Sequence, residues 1–280
     1  MRRLVVFGKG GIGKSTVCTN LSALIADRGL RVLQIGCDPK HDSHLRHAIP
    51  GRVTTVMDAF IAGAGQLRPA DLRNLVVTGG TGVDVLETGG PEPGKGCAGR
   101  AVDIVLDVIK EPPALVDDYD IVLFDVLGDV VCGGFSAPIR EEAPSDILLV
   151  VSEEYMALYA ANNIARGIRN LADSGGARLI GVIGNKAHDP GAADLIARFA
   201  AAIGSRLLGV LPFSREVVQV EFAGKTIVSA APDAEITGTY CAILDAVFAT
   251  KEEHRVIPTP LADEAIREIY LEHIGRAETP

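Results

Sequence analysis

Short apolar runs of strand length recur along the chain, and most are followed by a stretch with helical spacing. They are "RRLVVF" (2–7), "RVLQIG" (31–36), "VDVLET" (83–88), "YDIVLFD" (119–125), "DILLVVS" (146–152), "RLIGVIG" (178–184) and "RLLGVLP" (206–212). Near-continuous Val, Ile and Leu is what a strand covered on both faces requires. Between them, "STVCTNLSALIADRG" (15–29) has helical spacing and stops at Gly29. "ALYAANNIARGIRNLADSG" (157–175) repeats the pattern and stops at Gly175. Glycine just past the last turn is a helix stop signal. Strand, helix, strand in repetition predicts an α/β fold, a single doubly wound domain with a mostly parallel sheet. No repeat, low-complexity tract or linker divides residues 1–280, and 251–280 reads as a C-terminal helical extension. There "LADEAIREIYLEHIG" (261–275) places Leu261, Ala265, Ile266, Ile269 and Ile274 on one stripe opposite a mostly acidic face. That pattern predicts packing on the domain itself or on a partner chain, not on a membrane.

Composition narrows the classes. The chain has 280 residues, is 48% hydrophobic and carries a formal charge of −9. A core of that size needs no disulfides, and five cysteines, an odd number without even spacing, argue against a secreted framework. Met1–Arg2–Arg3 runs straight into a strand-like run rather than into a signal peptide, and no apolar stretch approaches a membrane span. The acidic balance disfavours nucleic acid and anionic lipid as partners. A cytoplasmic protein is expected.

"GKGGIGKS" (8–15) satisfies G-x-x-x-x-G-K-[ST] and lies between a predicted strand and a predicted helix. Gly8, Gly10, Gly11 and Gly13 let the backbone of the loop, Ile12 included, curl so that its N–H groups face phosphate. The helix start through Thr16 adds its positive dipole end. Lys14 is placed to span the outer phosphates and Ser15 to hold Mg²⁺, so a nucleotide with Mg²⁺ is the expected ligand. A second loop lysine, Lys9, resembles the signature lysine of the deviant Walker A ATPases, which dimerise around nucleotide and reach across to the opposite subunit. The alternative is a solvated lysine. Two acidic segments follow strand ends, where α/β sheets place ligands. "CDPKHDS" (37–43) supplies Asp38, to orient the attacking water, Lys40, to sense phosphate or the dimer interface, and Asp42. "FDVLGD" (124–129) supplies Asp125 for Mg²⁺ through water, Gly128 for the γ-phosphate, and Asp129 as a second group to position the nucleophile. Helix capping is the alternative for such aspartates. Asn185, in "GNKAHD" (184–189), is a candidate adenine contact.

"HDSHLRH" (41–47) brings His41, His44 and His47 together, but without the i, i+4 spacing of a helical zinc site. A solvated switch segment is expected instead. Two isolated thiols are harder to dismiss. Cys97 lies in "GGPEPGKGCAGR" (89–100), and Cys132 in "DVLGDVVCGGF" (125–135), seven residues past Asp125. A [4Fe–4S] cubane needs four thiolates, and two chains about a two-fold axis would offer two each. The 34 intervening residues match no local ligand motif, so buried structural cysteines are the alternative. Cys18 and Cys241 read as core residues, and Cys37 as a neighbour of the nucleotide that ligates nothing.

The loop at 8–16, "GCDPKHDS", "GGPEPGKGCAGR", "DVLGDVVCGGFSAPIRE" and "MALYAANNI" together resemble the nitrogenase iron protein family, in its order and spacing over nearly the whole chain. The resemblance implies a homodimer with one MgATP per subunit and one [4Fe–4S] cluster between subunits, ligated by Cys97 and Cys132. It implies nucleotide and switch roles for Lys9, Lys14, Ser15, Asp38, Lys40, Asp42, Asp125 and Asp129, and an adenine-side place for Asn185. Arg100 matches an arginine that some members carry as a reversible ADP-ribosylation site. The implied activity is ATP-dependent electron donation, one electron at a time, to a docked catalytic nitrogenase or nitrogenase-like component. A low-potential donor such as ferredoxin or flavodoxin would re-reduce the cluster. "GNKAHD" stands where the family usually has a "CNSR"-like run, and "LPFSREVVQVE" departs from "PRDNVVQRAE". These departures leave open whether the partner acts on dinitrogen, a tetrapyrrole or a carbon–sulfur compound. A positioning ATPase would need a basic surface or tail, and an iron–sulfur scaffold ATPase a C-x-x-C pair; neither is present.

Overall fold

The computed structural model describes residues 1–90, 108, 115–128, 145–172 and 176–277. Eight strands form one sheet: β1 Arg2–Phe7, β2 Val32–Cys37, β3 Val77–Thr78, β4 Asp84–Glu87, β5 Ile121–Val126, β6 Ser145–Val151, β7 Ala177–Ala187 and β8 Leu207–Pro212. Their order is β3-β4-β2-β5-β1-β6-β7-β8. All neighbours are parallel except the edge pair β3 and β4. Each apolar run expected as a strand is one, within a residue or two at most ends. The two-residue β3 is too short to leave a periodic signal.

The described helices are α1 Lys14–Asp27, α2 Val56–Ala62, α3 Pro69–Arg73, α4 Tyr155–Asn170, α5 Ala192–Ala202, α6 Arg215–Phe222, α7 Ile227–Ala230, α8 Glu235–Phe248 and α9 Asp263–Ala277. Strand alternation sends neighbouring residues to opposite faces. Leu4 and Val6 therefore join Val17, Leu21 and Ile25 of α1 and Tyr240, Ile243 and Val247 of α8. Val5 and Phe7 join Leu158 and Ile164 of α4, Leu195 and Phe199 of α5, and Ile266 of α9. A sheet covered on both sides explains why its strands carry so little polar alternation.

Helix ends follow local chemistry. Gly29, at φ 78, donates its N–H to Ala26 O just past α1, as expected of a C-terminal glycine. α4 ends at Asn170, before Gly175, which lies outside the described residues. α9 packs on its own domain: Leu261, Ile266 and Ile269 of the expected stripe meet the core and Ala265 is half-buried, and only Ile274 departs from it. From Ile266, helical spacing lands on Tyr270 and His273; His273 is buried beside Asp189, with Nε2 to Oδ2 at 3.4 Å, and Ile274 turns outward. A paired histidine thus takes a place that hydrophobicity alone assigns to isoleucine. No helix among the described residues is long and apolar enough to cross a membrane.

Candidate functional site

The carboxyl ends of β1, β2, β5 and β7 converge on a cleft of about 390 Å³. Gly10, Gly11, Gly13, Lys14, Ser15, Thr16, Asp38, Lys40, Asp42, Asp125, Gly128 and Asn185 border it. The loop leaves β1 and enters α1 through Gly13, whose φ of 95° suits glycine. No acidic residue occupies the first turn of α1, so its N-terminal end borders the cleft without a carboxylate of its own to oppose an anion. Lys14 is buried, and its Nζ donates to Lys9 O at 3.2 Å.

Asp125 joins the elements. It sits at the end of β5, is 3% exposed, and accepts a hydrogen bond from Ser43 Oγ at 2.8 Å. Burial pushes its carboxyl above the ordinary aspartate range, while hydrogen bonds from Ser15 and Ser43 and the charge of Lys14 act the other way. Three residues on, the segment passes so close to the loop that a Cβ on Gly128 would lie 2.5 Å from Gly10 N and 2.7 Å from Lys14 Nζ. On the β2 side, Asp38 caps its own turn by accepting the N–H of Lys40 at 2.9 Å. Arg46 donates to Asp42 O and to Glu221 Oε1, tying the 38–46 segment to α6.

Not every expected residue borders the cleft. Lys9 turns away, with Nζ 3.4 Å from Glu154 Oε2, into a neighbouring hollow of about 260 Å³ that Ile12, Glu153, Lys186 and His188 also line. Asn185 donates its side-chain N–H to Ile12 O at 2.8 Å, so its amide nitrogen holds the loop. Cys97, Arg100, Asp129 and Cys132 lie outside the described residues. Among the cysteines described, Cys18 and Cys37 are buried, and burial pushes both thiols well up, keeping them protonated.

The histidines of 41–47 correct the expectation of a solvated switch. His44 and His47 are buried. His44 Nδ1 donates to Glu87 Oε1 at 3.0 Å and Nε2 to Gly51 O at 3.0 Å; two acceptors on one ring call for the imidazolium. The hydrogen bond to Glu87 raises its pKa accordingly, and such a ring has no lone pair for a metal. His47 meets Thr81 Oγ1 and Gln34 Oε1, and burial lowers its pKa to about 3, so it is neutral. No group of three or more metal-ligating side chains occurs among the described residues. Glu87, Arg46 and Lys186 escaped the reading of the sequence. Glu87 had a signal, a carboxylate ending an apolar strand; Lys186 had none.

The residues present fit MgATP. A backbone cradle lacks Cβ atoms where phosphate would approach, a buried lysine points into the loop, and a buried carboxyl sits beside the Ser15 hydroxyl, a pair suited to a hydrated cation.

Comparison with known proteins gives a consistent result. The model of "4Fe-4S iron sulfur cluster binding proteins, NifH/frxC family" matches residues 2–275. Nitrogenase iron protein 2 of Methanothermobacter thermautotrophicus is 40% identical over 270 residues, covering 96% of this chain and 97% of that one. Nitrogenase iron protein 2 of Methanothermococcus thermolithotrophicus is 39% identical over 279 residues, covering 96% and 95%. Among solved structures, the Pyrococcus furiosus cell division ATPase MinD superposes with a TM-score of 0.69 at 22% identity, covering 88% of this chain and 98% of its own. A ParA family ATPase from Chlorobium tepidum gives 0.67 at 18%, covering 89% and 99%. At those identities the structural likeness shows the fold alone.

Proposed function

The chain belongs to the NifH/frxC family of 4Fe-4S iron sulfur cluster binding proteins, and from that premise we propose that it is the ATP-dependent electron-donating component of a nitrogenase or nitrogenase-like system. The family binds a [4Fe–4S] cluster and MgATP. The observation that supports the reading most directly is the Asp125 junction. One buried carboxyl links Ser15 of the loop and Ser43 of the β2 segment, and its own segment continues in sequence to Cys132.

When bound, the cluster supplies a one-electron carrier, with Cys97 and Cys132 of two protomers as its ligands. The chain's own residues make docking depend on the phosphates. Lys14 would hold the outer phosphates, and Ser15 and Asp125 would hold Mg²⁺, which supplies positive charge against the phosphates. Gly128 N–H reads the γ-phosphate, Asp38 and Asp129 orient the attacking water, and Lys40 and Asp42 follow the phosphate state. Lys9, turned out of its own cleft toward Glu154, would exchange that contact for the nucleotide of a second subunit, and Asn185 borders the base side. Loss of the γ-phosphate removes the acceptor for Gly128 and releases the 38–43 and 125–128 segments together. Arg100, three residues past Cys97, would carry a bulky anionic adduct on the docking face and so block the partner. A ferredoxin or flavodoxin class donor returns the electron.

A partner acting on a tetrapyrrole or carbon–sulfur substrate is the second reading, favoured by the departures at "GNKAHD" and "LPFSREVVQVE". Anaerobic isolation tests the main reading: a brown dimer should deliver one electron per cluster to its co-purified partner only with MgATP. A colourless, iron-free monomer would overturn it. Identifying that partner separates the two readings.

A further inference from the structure

Two consecutive residues at the end of β7 grip two consecutive carbonyls of the phosphate loop. Asn185 Nδ2 donates to Ile12 O at 2.8 Å, and Lys186 Nζ donates to Gly11 O at 2.8 Å. The pairing of β7 with β8 shifts register between Gly184 and Ala187, and Lys186 sits there at φ 57. A lysine in the left-handed region is uncommon and persists where surrounding contacts hold it. The irregular backbone aims the long side chain back over the loop. Contact is close enough that a Cβ on Gly13 would lie 2.3 Å from Asn185 Nδ2 and 3.5 Å from Lys186 Cε.

A trans peptide sets each carbonyl antiparallel to the following N–H. Holding Ile12 O from β7 therefore turns Gly13 N–H the opposite way. Holding Gly11 O fixes the plane of Ile12 N–H, which closes the turn on Lys9 O at 3.2 Å. We propose that Lys186, acting with Asn185, is a positioning residue that clamps the outward carbonyls of the loop. Its amides are thereby set in advance for the polyphosphate of a nucleoside di- or triphosphate. A glycine-rich loop loses more conformational freedom on ordering than any other, so a clamp built before binding lowers that cost. Lys14 and Lys9 belong to the loop itself; Lys186 approaches from the sheet.

The clamp rests on residues 8–15 being a phosphate cradle. Wild-type dimer that fails to bind MgADP would sink that cradle, whereas failure of the clamp leaves wild-type binding intact. Lys186→Met keeps the stem and removes the donor. It should weaken MgADP about five- to tenfold, between the values for exposed ion pairs and for charged hydrogen bonds, since the Lys186 contact is exposed, with adenosine competition unchanged. Amide exchange in a peptide spanning 8–14 should quicken without nucleotide while other peptides stay as in wild type. Lys186→Arg should restore both, and Lys186→Gly, which relieves the positive φ, should lose affinity without a lower melting temperature. Wild-type MgADP affinity in Lys186→Met, an equal loss for adenosine, or failure of arginine to rescue would overturn the clamp. Weaker binding without faster exchange would assign Lys186 to direct phosphate contact and overturn it equally.

Discussion

Replacing Gly128 with alanine puts one methyl group between the segment after β5 and the phosphate loop. That methyl carbon would lie 2.5 Å from Gly10 N, 2.7 Å from Gly10 Cα and 2.7 Å from Lys14 Nζ, where ordinary contact begins near 3.4 Å. The overlap with Gly10 is about 0.9 Å at N, and backbone cannot rotate away. Lys14 can move only by leaving Lys9 O, and it is buried. Overpacking of this kind costs about 1–3 kcal/mol, and the relief available is a shift of Gly128 away from Gly10 and from the γ-phosphate position proposed for it. A displacement near 1 Å at a reacting centre lowers rate on the order of a hundredfold. MgATP-supported ATP hydrolysis and electron delivery should fall by about that factor, while MgADP affinity falls less than about tenfold. Iron content and the paramagnetic signal of the reduced cluster should not change. Calorimetric titration with both nucleotides gives the deciding ratio. Gly11→Ala is the control: its Cβ would meet nothing within 4 Å but sits at φ 78, so strain of about 1–2 kcal/mol should affect both nucleotides alike. If Gly128→Ala keeps the wild-type ratio of MgATP to MgADP affinity, Gly128 does not read the γ-phosphate.

Cys132→Ser should abolish the dimer-bridging cluster while MgADP titration stays within about twofold of wild type; a full cubane signal in that variant would remove Cys132 from the ligand set. Glu87→Gln tests the buried His44 pair, whose side chains are 3% and 1% exposed. Because the folded His44 pKa is raised, the pair's stabilisation is complete below the ordinary histidine range and is lost as pH rises through the raised value. The melting-temperature gap between wild type and Glu87→Gln should therefore be widest near pH ~5.5 and narrow toward pH ~9; a constant gap would mean His44 is neutral. Gly238→Ala, inside α8 with nothing within 4 Å of the added Cβ, should stabilise by about 0.5–1 kcal/mol. A lower melting temperature there would show that the helix surface is occupied.

The strands, the two-sided burial and the position of the phosphate loop were legible because each depends on local pattern. Runs such as "DILLVVS" have few other folded solutions, and G-x-x-x-x-G-K-[ST] between a strand and a helix constrains its own backbone. Strand-end aspartates were legible for the same reason: parallel topology carries them to one edge. What tertiary structure alone decided are the partners of polar side chains distant in sequence. His44 has a raised pKa because Glu87 arrives on β4, and His47 is held neutral by burial and the nearby Arg46 charge, in a place where its ring meets Gln34 and Thr81. Lys186 reaches the loop from an irregular stretch of β7, where the pairing with β8 shifts register and its own φ is positive. Hydrophobic periodicity records which face is buried, and it is silent on which hydrogen-bond acceptor waits there. That acceptor comes from another strand, so only the folded chain could supply it.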